Sequence, residues 1–337
     1  MERPLTILLL IILLLPVRQM RAEELVVMSY NVENLFDCRH DSLKDDREFL
    51  PDAERRWTFG RLWKKLNDLA RVIHQCGEPL GDEDFHLPDL VVMLEVENDS
   101  VMEMLTRRSM LRSVGYKYIV TNSQDLRGID VAIMYNPLTF SPDTSYTIPI
   151  HPKKGQRPTR DILCLKGQTR SHTPVTIYAV HAPSRSGGES ATEPYRLVVA
   201  DSLMNHITPV AESENIIVAG DFNDYSYNKS VKRLASVLTD VSEGIRGLNY
   251  DKTAVEGTYY YEEKWGCLDH LFVSPTLAGG VRNCYIFDRE WLLEKDAKGI
   301  LVPFRTYKGP KYNEGVSDHL PIVMKLDLSG LNPHDKD

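Results

Sequence analysis

Short runs of apolar, mostly β-branched residues recur along the chain at 25–30, 90–94, 131–135, 175–180, 216–219, 271–273 and 322–326. Each is too short for a buried helix and nearly free of polar alternation, which predicts strands covered on both faces. Helical spacing of apolar positions occupies 55–75, 101–112 and 195–207. Asn136-Pro137 and Gly279-Gly280 punctuate the intervals. Strands alternating with helices in this way predict an α/β class. The charged, aperiodic stretch 37–54 reads as a surface excursion, and 292–314 as a second loop-rich zone. There is no short repeat and no low-complexity linker, so residues 23–337 are expected to form a single domain.

The amino terminus departs from this pattern. Arg3 precedes an apolar run over 5–17, which Arg18, Arg21 and Ala22 follow. That run matches the apolar region of a signal peptide and falls short of the ~20 residues of a membrane span. The expectation is a signal peptide over 1–22, an exported (periplasmic or secreted) protein, and no membrane span in the mature chain. An uncleaved N-terminal anchor is the alternative. No Cys follows the run, so a bacterial lipoprotein is not indicated.

Composition narrows the choices further. The chain has 337 residues, 42% of them hydrophobic and 26% charged, enough for a large buried core. Its formal net charge of −8 argues against a basic clamp that tracks nucleic-acid phosphates tightly. Cleavage of a polyanion stays open, because a cation can neutralise the scissile phosphate. The five cysteines show no CxxC spacing, which sets aside a zinc or redox motif and favours small buried hydrophobes. Nothing in the sequence implies a stable protein partner.

The chemistry lies where polar residues meet the apolar runs. YNVEN at 30–34, LEVEN at 94–98, VHAPS at 180–184 and GDFND at 220–224 follow predicted strands, whereas LDH at 268–270 and SDH at 317–319 lead into them. Ligands of open α/β sheets bind at strand ends, and acids, amides and imidazoles placed there suit a hard cation and a phosphate. Taken singly, each group has a plainer reading, since Asp, Asn and Ser favour turns and helix caps. That reading weakens when every group must be a coincidence.

In this order the groups resemble the endonuclease/exonuclease/phosphatase superfamily, which shares the pancreatic deoxyribonuclease fold. The likeness spans about residues 28–326, and YNVENLFD with RGIDVAIMYNP downstream resembles exported bacterial nucleases. It implies a four-layer α/β/β/α sandwich, with two central β-sheets packed face to face and helices outside. It also implies Asn31, Glu95 and Asp318 at the metal, Mg²⁺ or Mn²⁺. Asp221 and Asn223 match the pair that orients the attacking water and holds the phosphoryl oxygen. Asp269 and His319 match the Asp–His dyad, and His181 a position close to the scissile phosphate. Glu33, Ser184 and Arg127 are candidate substrate contacts, although Ser184 stands where abasic-site endonucleases carry Asn. Either Asp221 or His319 can serve as the base for the attacking water.

Three functions fit these motifs to different degrees. The first is a secreted or periplasmic nuclease that hydrolyses phosphodiester bonds in DNA or RNA. The second is a phosphatase or phosphodiesterase acting on sugar phosphates, nucleotides, inositol phosphates or phospholipid head groups. The third, a non-catalytic binding module on the same fold, should have lost an acid or the histidine of the site. Glu95, Asp221, Asn223, Asp269 and His319 are all present, which counts against it. Arg157, Arg160 and Arg185 could form a basic lip over the site, and one ring of the run 258–261 could stack on a base or sugar, but surface charge and a strand packed by aromatics are the plainer readings.

Overall fold

The computed structural model describes residues 23–78, 84–151, 155, 157–248 and 255–330; the expected signal peptide lies outside them. Numbered along the chain, the first sheet holds β1 (Glu24–Leu35), β2 (Leu90–Val96), β3 (Lys117–Val120), β4 (Asp130–Tyr135), β13 (Val281–Ile286) and β18 (Ile322–Asp327). Its six strands run in the order β13-β18-β1-β2-β4-β3. The second sheet holds β5 (Phe140–Ile148), β6 (Ile162–Thr169), β7 (Pro174–His181), β8 (Ile216–Asp221), β9 (Thr239–Asp240) and β12 (Asp269–Val273). Its order is β5-β6-β7-β8-β12-β9. Three hairpins, β10 (Tyr259–Tyr261) with β11 (Lys264–Gly266), β14 (Leu293–Lys295) with β15 (Leu301–Pro303), and β16 (Tyr307–Lys308) with β17 (Lys311–Tyr312), stand apart from the sheets.

Side-chain alternation explains the layering. In β7, Val175, Ile177 and Ala179 face the first sheet, while Tyr178 and Val180 face outward; in β8, Ile217 and Ala219 point in and Ile216 and Val218 out. Both faces are apolar because both are covered, which is why these runs lack polar alternation. Helices α3 (Glu189–Ile207) and α4 (Lys229–Ala235) cover the outer face of the second sheet through Val199, Leu203, Ile207, Val231 and Leu234. On the other side, α1 (Phe59–Gln75) buries Leu62, Leu66, Leu69 and Ile73, and α2 (Asp99–Arg107) buries Val101, Met102 and Leu105. A one-turn helix, α5 (Pro275–Ala278), links β12 to β13. The architecture is the expected α/β/β/α sandwich.

Helix starts differ from the periodicity. The pattern places a helix from residue 55, but Arg56 has φ 48° and α1 begins at Phe59, behind Thr58. Conversely, α3 starts at Glu189 and carries Pro194 inside it, so the proline near the expected start at 195 is not a boundary. The second expected helix breaks after Arg107, and its tail, Met110–Ser113, is a 3-10 turn. The excursion 37–54 is partly tucked in, with Asp46 and Phe49 buried and Phe49 stacked on Phe36. All five cysteines are unpaired, Cys76 and Cys164 buried and the others half-buried. Among the described residues, no helix is long and apolar enough to cross a membrane.

One irregularity matters for the site. β1 and β2 run parallel in register from Val27↔Leu90 to Asn31↔Leu94, and the next partners are Leu35↔Val96. Residues 32–34 of β1 therefore oppose Glu95 alone. Glu33, Asn34 and Glu95 take up the mismatch at φ 50°, 55° and 64°. Such bulges re-aim side chains at the end of a strand.

Candidate active site

The bulge turns Asn31 and Glu95 toward the seam between the sheets. Asn31 is buried; its amide nitrogen donates to Asp221 Oδ2 at 3.0 Å, and its Oδ1 accepts the Glu33 N–H at 3.1 Å. Glu95 Oε2 accepts the Asn34 N–H at 2.9 Å, leaving Oε1 4.0 Å from His181 Nε2. Four left-handed non-glycine residues (Glu33, Asn34, Glu95 and Asn223) surround this spot. Backbone held so far from its preferred region is characteristic of functional sites, where packing over-determines it.

From the second sheet, parallel β7 and β8 end side by side, with His181 opposite Asp221. Gly220 makes this approach possible. It sits at φ 153°, and a Cβ there would lie 1.8 Å from the Val180 carbonyl oxygen. Asp221 Oδ1 accepts the Asn223 N–H at 2.8 Å, and Asn223 Nδ2 donates to the Ala182 carbonyl at 3.0 Å. Antiparallel β12 brings Asp269 opposite Asp221. His319, just before β18, lies with Nδ1 2.7 Å from Asp269 Oδ2 and Nε2 3.8 Å from Asp221 Oδ2. His181 Nε2 lies 3.7 Å from that same oxygen. Asn31, Glu95, His181, Asp221, Asn223, Asp269 and His319 thus meet in one place.

The remaining candidates sit around that centre. Arg127 is half exposed, donates to Asn34 Oδ1 and stands 3.9 Å from Glu95 Oε2. Ser184 is exposed on the turn after β7, where its hydroxyl accepts the Ser186 N–H at 3.4 Å. Asp318 pairs with Arg305 at 2.8 Å. Glu33, taken as a substrate contact, is instead buried with its carboxylate accepting the Thr306 and Tyr307 N–H groups at 2.7 and 3.2 Å. Beside it, Lys65 of α1 donates to the Glu33 and Val316 carbonyls and to Thr306 Oγ1. Together they fasten the loop before His319 to the bulge of β1.

Several supporting residues escaped the sequence reading. Thr258 donates to Asp269 Oδ2 at 2.6 Å, and Ser317 Oγ donates to the Asn31 carbonyl at 2.6 Å. Arg196 of α3 reaches Asp224 Oδ1 at 2.7 Å, both side chains fully buried, behind the GDFND loop. His270 Nε2 meets the Asp224 carbonyl at 2.9 Å, while its Nδ1 faces Asp240 at 3.1 Å. Arg160, read as surface charge, is buried against Asp125 at 3.1 Å and donates to the Ala182 carbonyl. Ser317 and His270 lie within the SDH and LDH groups, but the motif order gives them no role, and a lone polar residue within helical spacing, such as Arg196, carries no signal at all.

Burial and charge set the protonation states. Burial opposes a charge on His319, but Asp269 and then Asp221 outweigh it and raise the imidazole to about 10. Burial raises Asp221 to about 7 against the attraction of His319. His181 is held well below its ordinary value by burial and by the charges of Arg160, Arg127 and His319, so it is a neutral imidazole. A cation fits the oxygen donors of Glu95 and Asn31, because Glu95 Oε1 faces the centre from a carboxylate anchored at its other oxygen. Asp221, Asp269 and His319 also offer ligand atoms within 4.8 Å of one another. There, however, Asp269 Oδ2 already accepts Thr258 and faces His319, an arrangement suited to orienting an imidazolium.

The model of the Endonuclease/Exonuclease/phosphatase family matches residues 26–328. An endonuclease/exonuclease/phosphatase family protein from Bacteroides thetaiotaomicron is 18% identical, with a TM-score of 0.58 over 91% of this chain and 98% of that one. A mannosyl-6-phosphatase from the same organism is also 18% identical, with a TM-score of 0.56 over 89% of this chain and 98% of that one. The catalytic domain of human Nocturnin, solved with a bound sulfate, is 16% identical at a TM-score of 0.52, over 90% and 93%. No curated protein sequence matches the chain. At these identities the likeness to solved structures is one of fold.

Proposed function

Since the chain belongs to the endonuclease/exonuclease/phosphatase family, whose members hydrolyse phosphoesters, we propose that it is an exported, divalent-metal-dependent nuclease acting on phosphodiester bonds of DNA or RNA. The convergence of Glu95, Asn31, His181, Asp221, Asn223 and the Asp269–His319 dyad on one point carries this reading. A phosphodiester is an anion, so attack by water needs charge neutralised first. Glu95 and Asn31 would hold a divalent cation, Mg²⁺ or Mn²⁺, which would supply Lewis-acid neutralisation of the phosphate charge. Asp318 remains a candidate ligand only after leaving Arg305.

The protein's own groups do the rest. Asn223 and neutral His181 donate hydrogen bonds to the phosphoryl oxygens. Asp269 fixes the ring of His319 and favours its charged form, so Nε2–H points at the anion. Asp221 lies between the two histidines, where it accepts a proton from the attacking water once ionised. His319 would replace it as the base only in its neutral form, which its raised value of about 10 confines to alkaline pH, so the pH profile separates the two.

The test is direct. Mature protein is incubated with plasmid DNA, RNA and a panel of phosphomonoesters, with Mg²⁺, with Mn²⁺ or with EDTA. Cleavage of nucleic acid that EDTA abolishes and Mg²⁺ restores is expected. Activity that persists in EDTA rejects the metal, and monoester turnover without nucleic-acid cleavage rejects the nuclease. A second reading, a phosphatase for small phosphorylated sugars or nucleotides, is favoured by the net charge of −8, which repels polyanions.

A further inference from the structure

Arg160 stands just before β6 and joins the two sheets close to the reaction centre. The residue is 7% exposed, and its guanidinium divides its donors between two partners. Nη1 lies 3.1 Å from Asp125 Oδ2, on the loop that connects β3 to β4 in the first sheet. Nη2 donates to the Ala182 carbonyl at 2.8 Å, just past the end of β7 in the second sheet. Asp125 is equally buried, and its Oδ1 accepts the Arg127 N–H at 2.9 Å. The guanidinium is thus braced from the first sheet while it grips a peptide of the second.

That peptide also carries Asn223. The Ala182 N–H donates to the Asp221 carbonyl at 2.9 Å, and the Ala182 carbonyl accepts Asn223 Nδ2 at 3.0 Å alongside Arg160. An asparagine amide has two N–H donors and one acceptor oxygen. With one N–H on Ala182, the second is left for an anion. Turned over, the amide would set Oδ1 against the carbonyl oxygen. The direction of the Asn223 amide therefore depends on where that carbonyl stands, and Arg160 is its other tether. A buried ion pair adds little stability over an apolar pair of the same size, because desolvation offsets the attraction. Packing alone does not account for a guanidinium here. We propose that Arg160 is a positioning residue, which fixes the Ala182 carbonyl so that Asn223 presents its free N–H to the phosphoryl oxygen. This rests on phosphoester hydrolysis at the site and holds for nucleic acid and small esters alike.

The test is a double-mutant cycle, with kcat read on bis-p-nitrophenyl phosphate and on p-nitrophenyl phosphate. Asn223→Ala is expected to lower kcat on the order of 10²-fold and Arg160→Met about 10-fold, with KM little changed. Combined, the two should cost no more than Asn223→Ala alone, because Arg160 acts through the amide. Losses that multiply in the combined variant, or a wild-type kcat in Arg160→Met, overturn the proposal. Should Arg160→Met fail to fold, Asp125→Leu with Arg160→Met replaces the whole pair by apolar groups and takes its place in the cycle. NMR of protein labelled with ¹⁵N-asparagine reads the same point without turnover. The two amide protons of Asn223 should be split more widely than those of a free asparagine, and the split should shrink in Arg160→Met. A split that does not change overturns the proposal. If the wild type hydrolyses neither ester, the phosphoesterase reading falls and the amide signals decide the role of Arg160 by themselves.

Discussion

The 2.7 Å contact between His319 and Asp269 holds the imidazole so that its other ring nitrogen lies 3.8 Å from Asp221 Oδ2. His319→Ala and Asp269→Asn are each expected to lower kcat on the order of 10²-fold or more, with melting temperature recorded alongside to exclude unfolding. Thr258→Val should cost less, because it removes one of the two donors on the same oxygen and leaves the other. Gly220 offers a sharper case. With a Cβ 1.8 Å from the Val180 carbonyl, Gly220→Ala should give little soluble folded protein, and a variant that melts with the wild type would contradict the strand-end geometry. The sequence made Asp221, Asp269 and His319 legible because each stands in a compact polar group at a strand end. Lys65, Arg196 and Thr258 were not legible, since a lone polar residue within regular spacing looks like any solvated one.

At the scale of elements, what periodicity could read was the interior of the sheets. Strands β18, β1, β2 and β4 of the first sheet, and β7, β8 and β12 of the second, show as apolar runs because neighbours cover them on both faces. The edge strands β3, β5, β9 and β13 do not. In β5, for instance, residues between buried Phe140 and Ile148 are exposed, which removes the apolar run. Interior β6 was missed as well, its run broken by Lys166 and Gly167. The junction of β1 and β2 yields a pH test. His86 bridges Glu24 and Asp89, and Asp89 accepts the Val26 N–H at 2.7 Å. Hydrogen bonds to Asp89 and Glu24, against burial, raise His86 from 6.5 to about 10. A raised folded value means that its stabilisation is complete below about pH 6.5 and fades as pH climbs toward 10. The melting-temperature gap between wild type and His86→Gln should therefore be wide at the acidic end and close at the alkaline end. Behind the catalytic loop, Arg196→Met strands buried Asp224 without its partner, a loss of about 3–5 kcal/mol readable in urea unfolding.

At the scale of the molecule, the apolar runs and helical spacing predict only an α/β class, and the two-sheet sandwich is what the resemblance carried by the six polar groups implies; four of those groups follow buried strands and two lead into them. The loops beyond the scissile phosphate were not foreseen, since their shape depends on anchors such as Lys65 on Thr306 that leave no trace in spacing. The site belongs to neither sheet. Asn31 and Glu95 come from one, His181, Asp221 and Asp269 from the other, and they face each other across a few ångströms. Turnover is consequently a gauge of how the two halves of the sandwich are aligned. A slip of one layer past the other, too small to change helix or strand content, would silence the enzyme. With rising urea, activity should vanish at a lower concentration than the circular dichroism signal, and the interval between the two midpoints measures how much sliding the core tolerates before it comes apart.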